Sequence, residues 1–147
     1  MKCRRRLAGK MTNYTVPMPA RILIADDSSS MRNVLRKFLE SYSNHWKVCA
    51  EAADGLDAVQ KAVESKPDLV IMDLQMPFLD GLRASIRIAD FLPKVPIVMN
   101  TIHASARIDS EARKAGVRRV IPKSDPEALL RAVEDLLGKD PRHLSPR

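Results

Sequence analysis

The 147-residue chain is poor in aromatic side chains, in cysteine and in long apolar runs. Aromatic residues make up 4% of it, and the two cysteines are Cys3 and Cys49. So few cysteines, one of them in a predicted strand, indicate unpaired thiols in a reducing compartment rather than a disulfide framework. No run approaches the roughly 18 apolar residues of a membrane helix, and no apolar segment follows the basic start as in a signal peptide. We therefore expect a cytoplasmic chain without a membrane span.

The net charge of +7 resides in the two ends of the chain. Residues 1–20 include five basic residues and no acidic one, residues 139–147 include three basic residues and one acidic, and the segment between them is neutral overall. A basic segment without interleaved aromatic residues is typical of a solvated tail, and a weak anchor to nucleic acid or to an anionic surface is the alternative. We expect a tail or start-site extension over residues 1–19, one folded domain over residues 20–138, and a second tail over residues 139–147.

Five short apolar runs alternate with longer segments in which apolar residues recur at helical spacing. Strands that alternate with helices are typical of a parallel sheet covered by helices on both faces. The third run is almost wholly apolar, as expected of a central strand that is buried on both sides. The predicted strands are Arg21–Ala25, Trp46–Ala50, Asp68–Met72, Val95–Asn100 and Val117–Ile121.

The helical stripes predict which side chains face the core and where helices begin. The residues predicted to face inward include Val34, Leu56, Val63 and Ile86. A serine within 28–30 is expected to cap the first helix, and Ser124-Asp-Pro-Glu127 matches a capping box for the last one. Gly116 is expected to end the fourth helix.

Polar side chains follow four of the predicted strands within two residues of the strand end. Asp26 and Asp27 follow the first strand, Asp73 the third, Thr101 the fourth and Lys123 the fifth. Because ligands of open parallel sheets bind just beyond the carboxyl ends of the strands, these groups should converge on one cleft.

Three carboxylates with one hydroxyl and one ammonium are suited to a divalent cation and a phosphoryl group. Two adjacent ionised acids need a counter-charge, which Mg²⁺ provides, since it binds carboxylate and phosphate oxygens. Asp73 is the natural nucleophile toward phosphorus, while Lys123 and Thr101 would contact phosphoryl oxygens. The sequence therefore predicts a magnesium-dependent phosphoryl site.

The stretches Ile22–Asp27, Pro67–Pro77 and Asp80–Leu82, together with Thr101 and Lys123, resemble the receiver domain of two-component response regulators. The resemblance extends over about residues 20–138. It implies a flavodoxin-like fold of five βα units, with a doubly wound parallel sheet in the strand order 2-1-3-4-5.

The same resemblance implies roles for the residues of the site. Asp73 would accept a phosphoryl group from a histidine kinase or a histidine phosphotransferase, and Thr101 and Lys123 would hold that group. The Mg²⁺ ligands that the resemblance implies are Asp27, Asp73 and the backbone carbonyl of Gln75, with Asp26 assisting through water. The chain would be a phospho-acceptor switch rather than an enzyme, with phosphorylation and dephosphorylation of itself only.

The resemblance also implies a partner surface formed by the fourth helix, the fifth strand and the fifth helix. Phosphorylation would change which output protein binds there, or would favour a homodimer. We expect no DNA-binding domain, since few residues follow Gly138. The basic residues of this surface are Arg107, Arg113, Lys114, Arg118 and Arg119.

Three positions depart from the usual pattern of the family. Ile102 replaces a small residue after the threonine, Val120 replaces the switch aromatic, and Ser124 replaces the proline after the lysine. A cis Lys-Ser bond would cost about 2.5–4 kcal/mol, so a different loop is the alternative to strain. His103 is expected either to face the cleft and tune hydrolysis or to be an exposed loop histidine.

Two other functions are compatible with parts of this pattern. A receiver-like protein-binding module that works without phosphorylation would explain the three departures. A magnesium-dependent phosphohydrolase would have a second acid two residues after its nucleophile, whereas Leu74 and Gln75 follow Asp73. The sequence therefore argues against the hydrolase.

Overall fold

Five parallel β-strands and five α-helices alternate along the chain in a computed structural model that describes residues 18–137. The strands pair in the order β2-β1-β3-β4-β5, as predicted. This order places β3 at the centre of the sheet, between β1 and β4. The elements are β1 (Ala20–Ala25), α1 (Ser29–Tyr42), β2 (Trp46–Ala52), α2 (Gly55–Ser65), β3 (Leu69–Met72), α3 (Gly81–Phe91), β4 (Ile97–Thr101), α4 (Ala106–Lys114), β5 (Arg119–Pro122) and α5 (Pro126–Leu137).

Alternate side chains of the strands supply two cores, one on each face of the sheet. In β1, Leu23 belongs to the core that residues of α2, α3 and α4 share on one face, whereas Ile22 and Ile24 belong to the core that residues of α1 and α5 share on the other. All four residues of β3 are buried, because helices cover both of its faces. The sheet is thus doubly wound, and its carboxyl edge collects the ends of β1, β3, β4 and β5.

The strand boundaries agree with the predictions to within about two residues. β2 is longer than predicted and ends at Ala52, and its register with β1 shifts by one residue at Cys49. Cys49 is a free thiol. Gly116 follows the cap of α4 with a φ of +93°, in the left-handed region expected of a residue that ends a helix.

The prediction that a side chain faces the core is wrong for several residues of the helices. The exposed ones are Val34 (58%), Leu56 (49%), Val63 (39%) and Ile86 (48%). In α2 the buried side chains are Ala58 and Ala62, and in α3 they include Ala84 and Ile88. Small alanine side chains allow these helices to lie close to the sheet, so larger residues at the edge of each stripe remain in solvent.

The first helix cap was predicted correctly and the last was not. Ser28 caps α1, since its hydroxyl accepts a hydrogen bond from the Met31 amide at 3.2 Å. The predicted capping role of Ser124 is wrong, because the Asp125 carboxylate accepts from the Ala128 amide at 3.0 Å. α5 begins at Pro126, and its cap is the residue directly before that proline.

Within residues 18–137, no helix has both the length and the apolar character needed to cross a bilayer. The tails expected over residues 1–19 and 139–147, and the expected helix stop at Gly138, lie outside the described residues except for positions 18 and 19.

Candidate functional site

Three carboxylates meet at the carboxyl edge of the sheet. Asp26, Asp27 and Asp73 each offer an oxygen, and these oxygens lie within 4.8 Å of one another. Asp26 and Asp73 are buried, whereas Asp27 is exposed. The convergence follows from topology, because β1 and β3 are adjacent and parallel and each is followed directly by its acid.

Lys123 connects two of these carboxylates. Its Nζ donates to Asp26 Oδ2 at 2.8 Å and to Asp73 Oδ2 at 3.2 Å. The side chain is largely buried, so both ion pairs lie in a region with limited solvent screening. The single ammonium supplies part of the counter-charge that the acidic cluster needs.

The backbone holds the Asp73 carboxylate on its other side. The Leu74 amide donates to Asp73 Oδ1 at 2.8 Å, and the Asp73 amide donates to the Ala25 carbonyl at 2.9 Å. The loop closes where the Gly81 amide donates to the Leu74 carbonyl at 2.7 Å. Both carboxylate oxygens of Asp73 therefore have fixed directions before any ligand binds.

Thr101 lies buried at the end of β4, beside β3 in the sheet. Its Oγ1 accepts a hydrogen bond from the His103 amide at 3.0 Å, and its carbonyl accepts from the Lys123 amide at 3.0 Å. The second of these bonds fixes the start of the loop that carries Lys123. Because the Thr101 hydroxyl only accepts in this contact, it can still donate its proton to a ligand.

His103 is an exposed residue of the loop after β4, as in the second of its two expected placements, and the cleft role remains a prediction. Its Nε2 and the Gln75 Oε1 are 3.0 Å apart, which links the loop after β4 to the loop after β3. Both residues are exposed, and so is Ile102. The peptide bond between Lys123 and Ser124 is trans, so this loop differs from the cis form considered above.

Burial raises the pKa of Asp73, and the nearby Asp26 charge adds to this rise, although Lys123 acts in the opposite direction. For Lys123, burial acts to lower the pKa, but the hydrogen bond to Asp26 and the charges of both carboxylates outweigh it and raise the pKa. An ion pair alone would lower the pKa of the acid, so the rise at Asp73 reflects desolvation and like-charge repulsion.

Asp73→Asn is expected to make the protein more stable than the wild type at pH 7. The folded-state pKa of Asp73 lies above its ordinary 3.8, so ionisation at neutral pH opposes folding. The stability of the wild type should therefore fall as the pH rises from 3.8 through the raised pKa, and the advantage of the variant should shrink as the pH falls again. Thermal unfolding between about pH 3.5 and 7 would measure this difference. Asp90→Asn, at an exposed position in α3, is the matched control. A variant less stable than the wild type at pH 7 would contradict the prediction.

The donor set of the cluster fits Mg²⁺. This ion takes oxygen ligands, usually one or two carboxylates with several waters. The cluster offers such oxygens from two buried carboxylates, Asp26 and Asp73, and from the exposed carboxylate of Asp27. Gln75 lies in the exposed loop two residues after Asp73, where its backbone carbonyl is the additional candidate ligand.

Two polar residues near the site escaped the prediction. Arg32 of α1 donates from Nη1 to the Asp26 carbonyl at 2.6 Å. Asn100, buried in β4, donates from Nδ2 to the Ile121 carbonyl at 3.1 Å, two residues before Lys123. A polar residue in an otherwise apolar strand was a usable signal for Asn100. For Arg32 the only signal was its position in the first turn of the helix that follows the acidic pair.

Three of the five basic residues on the predicted partner surface have acidic neighbours. Arg107 pairs with Glu111, Arg113 with Asp109 and Arg119 with Asp135. In each of the first two pairs the partners lie one turn apart on α4. Exposed ion pairs of this kind contribute only tenths of a kcal/mol to stability. The surface is thus a charged, solvated face rather than a uniformly basic one.

Comparison with known families agrees with this geometry. Residues 22–134 match the family model described as response regulator receiver domain. The chain belongs to this family. Receiver domains are signalling switches rather than enzymes, and an acidic pocket for Mg²⁺ is typical of them.

Relatives of this receiver domain occur in several signalling proteins. The chemotaxis protein CheY of Halobacterium salinarum is 36% identical, and the match covers 82% of this chain and 98% of that protein. A protein-glutamate methylesterase/protein-glutamine glutaminase of Thermotoga maritima is 37% identical over 84% of this chain. The chain spans 39% of the length of that methylesterase.

Solved receiver structures have the same fold. The response regulator domain of Thermotoga maritima CheB superposes with a TM-score of 0.74 at 32% identity, covering 84% of this chain and 99% of that domain. A response regulator of the LuxR family from Aurantimonas sp. SI85-9A1 gives a TM-score of 0.77 at 32% identity, with 83% and 87% covered.

Proposed function

We propose that this receiver domain accepts a phosphoryl group on Asp73 from a histidine kinase or a histidine phosphotransferase, in the cytoplasm that is usual for the family. The observation that carries the proposal is the contact of Lys123 with both Asp26 and Asp73 inside the three-carboxylate cluster. This arrangement supports a role for Asp73 as the nucleophile, for Lys123 as the cation that meets the phosphoryl oxygens, and for the carboxylates as metal ligands. We propose residues 20–138 as the bounds of the receiver domain.

Mg²⁺ would be held by Asp27, Asp73 and the backbone carbonyl of Gln75, with Asp26 assisting through water. When bound, it would neutralise charge on the phosphoryl oxygens. The different surroundings of Asp26 and Asp27 support these roles. The buried Asp26 carboxylate already accepts hydrogen bonds from the Ser28 amide at 2.9 Å and from Lys123. Asp27 is exposed and can offer its oxygens directly to the ion.

In the transfer step, a carboxylate oxygen of Asp73 attacks phosphorus, and the phosphorus–nitrogen bond of the donor phosphohistidine breaks. The donor imidazole leaves with the electron pair and takes up a proton. Lys123 neutralises one phosphoryl oxygen, and Thr101 donates its hydroxyl proton to another. The reaction requires positioning and charge neutralisation more than covalent chemistry, which these side chains supply.

The output of the switch is proposed to be a change of partner on the surface of α4, β5 and α5. Thr101 and Lys123 end β4 and start the loop after β5, so a phosphoryl group bound between them would act on both elements. An output protein, or a second copy of the chain, would bind this surface differently after phosphorylation. Hydrolysis of the acyl phosphate would return the domain to its first state.

Acetyl phosphate with Mg²⁺ is expected to add one phosphoryl group to the wild type. Intact-mass spectrometry should detect this gain in the wild type and in Asp90→Asn, and no gain in Asp73→Asn, because Asp73 is the proposed acceptor and Asp90 lies on α3 outside the three-carboxylate cluster. When acetyl phosphate is the phosphoryl donor, the bond between the acetate oxygen and phosphorus breaks and acetate leaves.

Equal gain in Asp73→Asn would contradict the assignment of the acceptor. No gain in the wild type, combined with no binding of Mg²⁺, would contradict the proposed function and support a binding module that works without phosphorylation.

A further inference from the structure

Arg32 connects the acidic loop, which is the segment Asp26–Asp27 after β1, to the edge strand β2. From the first turns of α1, its Nη1 donates to the Asp26 carbonyl at 2.6 Å and its Nε donates to Glu51 Oε1 at 3.0 Å. Glu51 belongs to β2 and also pairs with Arg36, one turn further along α1. The Arg32 side chain is mostly buried, so these contacts are shielded from solvent.

The hydrogen bond from Arg32 to the Asp26 carbonyl affects Asp27, which is the exposed member of the cluster. The Asp26 carbonyl and the Asp27 amide belong to one planar peptide unit, so fixing the carbonyl also fixes the start of Asp27. The Asp26 amide, on the other side, donates to the Ala52 carbonyl at 3.0 Å. The backbone before Asp27 is thus held from β2 through Arg32 and directly through Ala52.

We propose that Arg32 is a positioning residue for the metal site, which it orders through the Asp26–Asp27 peptide without contacting the ion. The inference rests on the proposed function, since it concerns the affinity of the same site for a divalent cation. Groups that orient metal ligands from behind typically change metal affinity by about 10-fold or more when they are replaced. Arginine suits this role because two nitrogens of its rigid, planar guanidinium, Nε and Nη1, donate to the carboxylate and to the carbonyl in fixed directions, whereas a lysine offers one ammonium on a flexible stem.

Positioning and simple electrostatics predict opposite results at this residue. A cation near the site repels Mg²⁺, so its removal should tighten metal binding if charge alone matters. If Arg32 positions the loop, its removal should weaken binding although a repulsive charge is lost. Arg32→Lys keeps the charge and loses the fork, and Arg32→Gln loses both.

Arg36 provides a matched control. It pairs with the same Glu51 and lies on the same helix, and of these two arginines only Arg32 has a described contact with Asp26. Arg36→Lys and Arg36→Gln therefore repeat the change of charge and of the ion pair with Glu51, without the change at the acidic loop.

The experiment measures binding of Mn²⁺ alone, which favours the same carboxylate oxygens as Mg²⁺, from the electron paramagnetic resonance signal of the free ion. We expect the dissociation constant to rise about 10-fold in both Arg32→Lys and Arg32→Gln. We expect it to stay within about twofold of the wild type in both Arg36 variants. Thermal unfolding of each variant checks that the protein is folded at the temperature of the titration.

An unchanged constant in Arg32→Lys, or tighter binding in Arg32→Gln, would overturn the inference while leaving the proposed function intact. Absence of Mn²⁺ binding by the wild type would overturn the proposed function and the inference with it. If the Arg32 variants do not fold, Glu51→Gln carries the test, because it leaves Arg32 in place and removes the charge that orients it. An affinity of Glu51→Gln equal to that of the wild type would then overturn the inference, and a weaker one would support it.

Discussion

Lys123→Met is expected to lower the free energy of unfolding by about 3 kcal/mol at pH 7 in metal-free buffer. The substitution leaves Asp26 and Asp73 facing each other in a buried site without the ammonium that donates to both. The pKa of Lys123 is raised above its ordinary 10.5, so in the wild type this stabilisation is complete below that pH and is lost only as the pH rises through the raised pKa. Urea unfolding would measure the loss.

Two conditions should each restore part of the stability of Lys123→Met. Mg²⁺ can replace the missing positive charge, and a lower pH protonates one of the two carboxylates. Lys114→Met, at an exposed position on α4, is the control and should change stability by only a few tenths of a kcal/mol. Equal stability of the two methionine variants would show that Lys123 does not balance the charge of the cluster.

The convergence of the site could be predicted because it depends on two robust features of the sequence. The alternation of strands and helices predicted the parallel sheet, and the polar residues that follow the strands then had to lie at the same edge of it. Asp26, Asp27, Asp73 and Lys123 come together for this reason, and a shift of a strand boundary by one or two residues does not alter it.

The helix faces were harder to predict because periodicity gives the direction of a stripe but not its width. In α2, Leu56 and Val63 fit the helical spacing as well as Ala62 does, and yet the small side chains are the buried ones. The distance between helix and sheet decides which residues fit beneath the helix. That distance is a property of the packed structure, and it is not encoded in the spacing.

The long-range contacts of the site could not be predicted from local pattern at all. The hydrogen bond between His103 and Gln75, and the contacts of Arg32 with Asp26 and Glu51, join segments that periodicity treats as independent. The cap of α5 failed for a different reason. Ser124 and Asp125 are both favourable caps, and the start of the helix at Pro126 selected the second.

Gly81→Ala is expected to be among the most destabilising small changes in the chain. A Cβ at this position would lie 2.0 Å from the Asp73 carbonyl oxygen and 3.0 Å from the Leu74 Cα. These are backbone atoms, which no change of rotamer can move. The Gly81 amide also donates to the Leu74 carbonyl, so the first turn of α3 cannot shift without breaking the loop after β3. We expect a loss of about 3 kcal/mol, measured by urea unfolding.

Gly116→Ala separates this close approach from the general cost of replacing a glycine. Gly116 has a φ of +93°, and an added Cβ would lie 3.0 Å from the side chain of Ala89, so we expect a loss of about 1–2 kcal/mol from backbone strain. The two variants should also differ in chemistry at temperatures where both are folded. Phosphorylation by acetyl phosphate should survive in Gly116→Ala and decline in Gly81→Ala, because only the second change displaces the backbone of Asp73. Equal phosphorylation of both variants would mean that the acceptor loop tolerates a displaced α3.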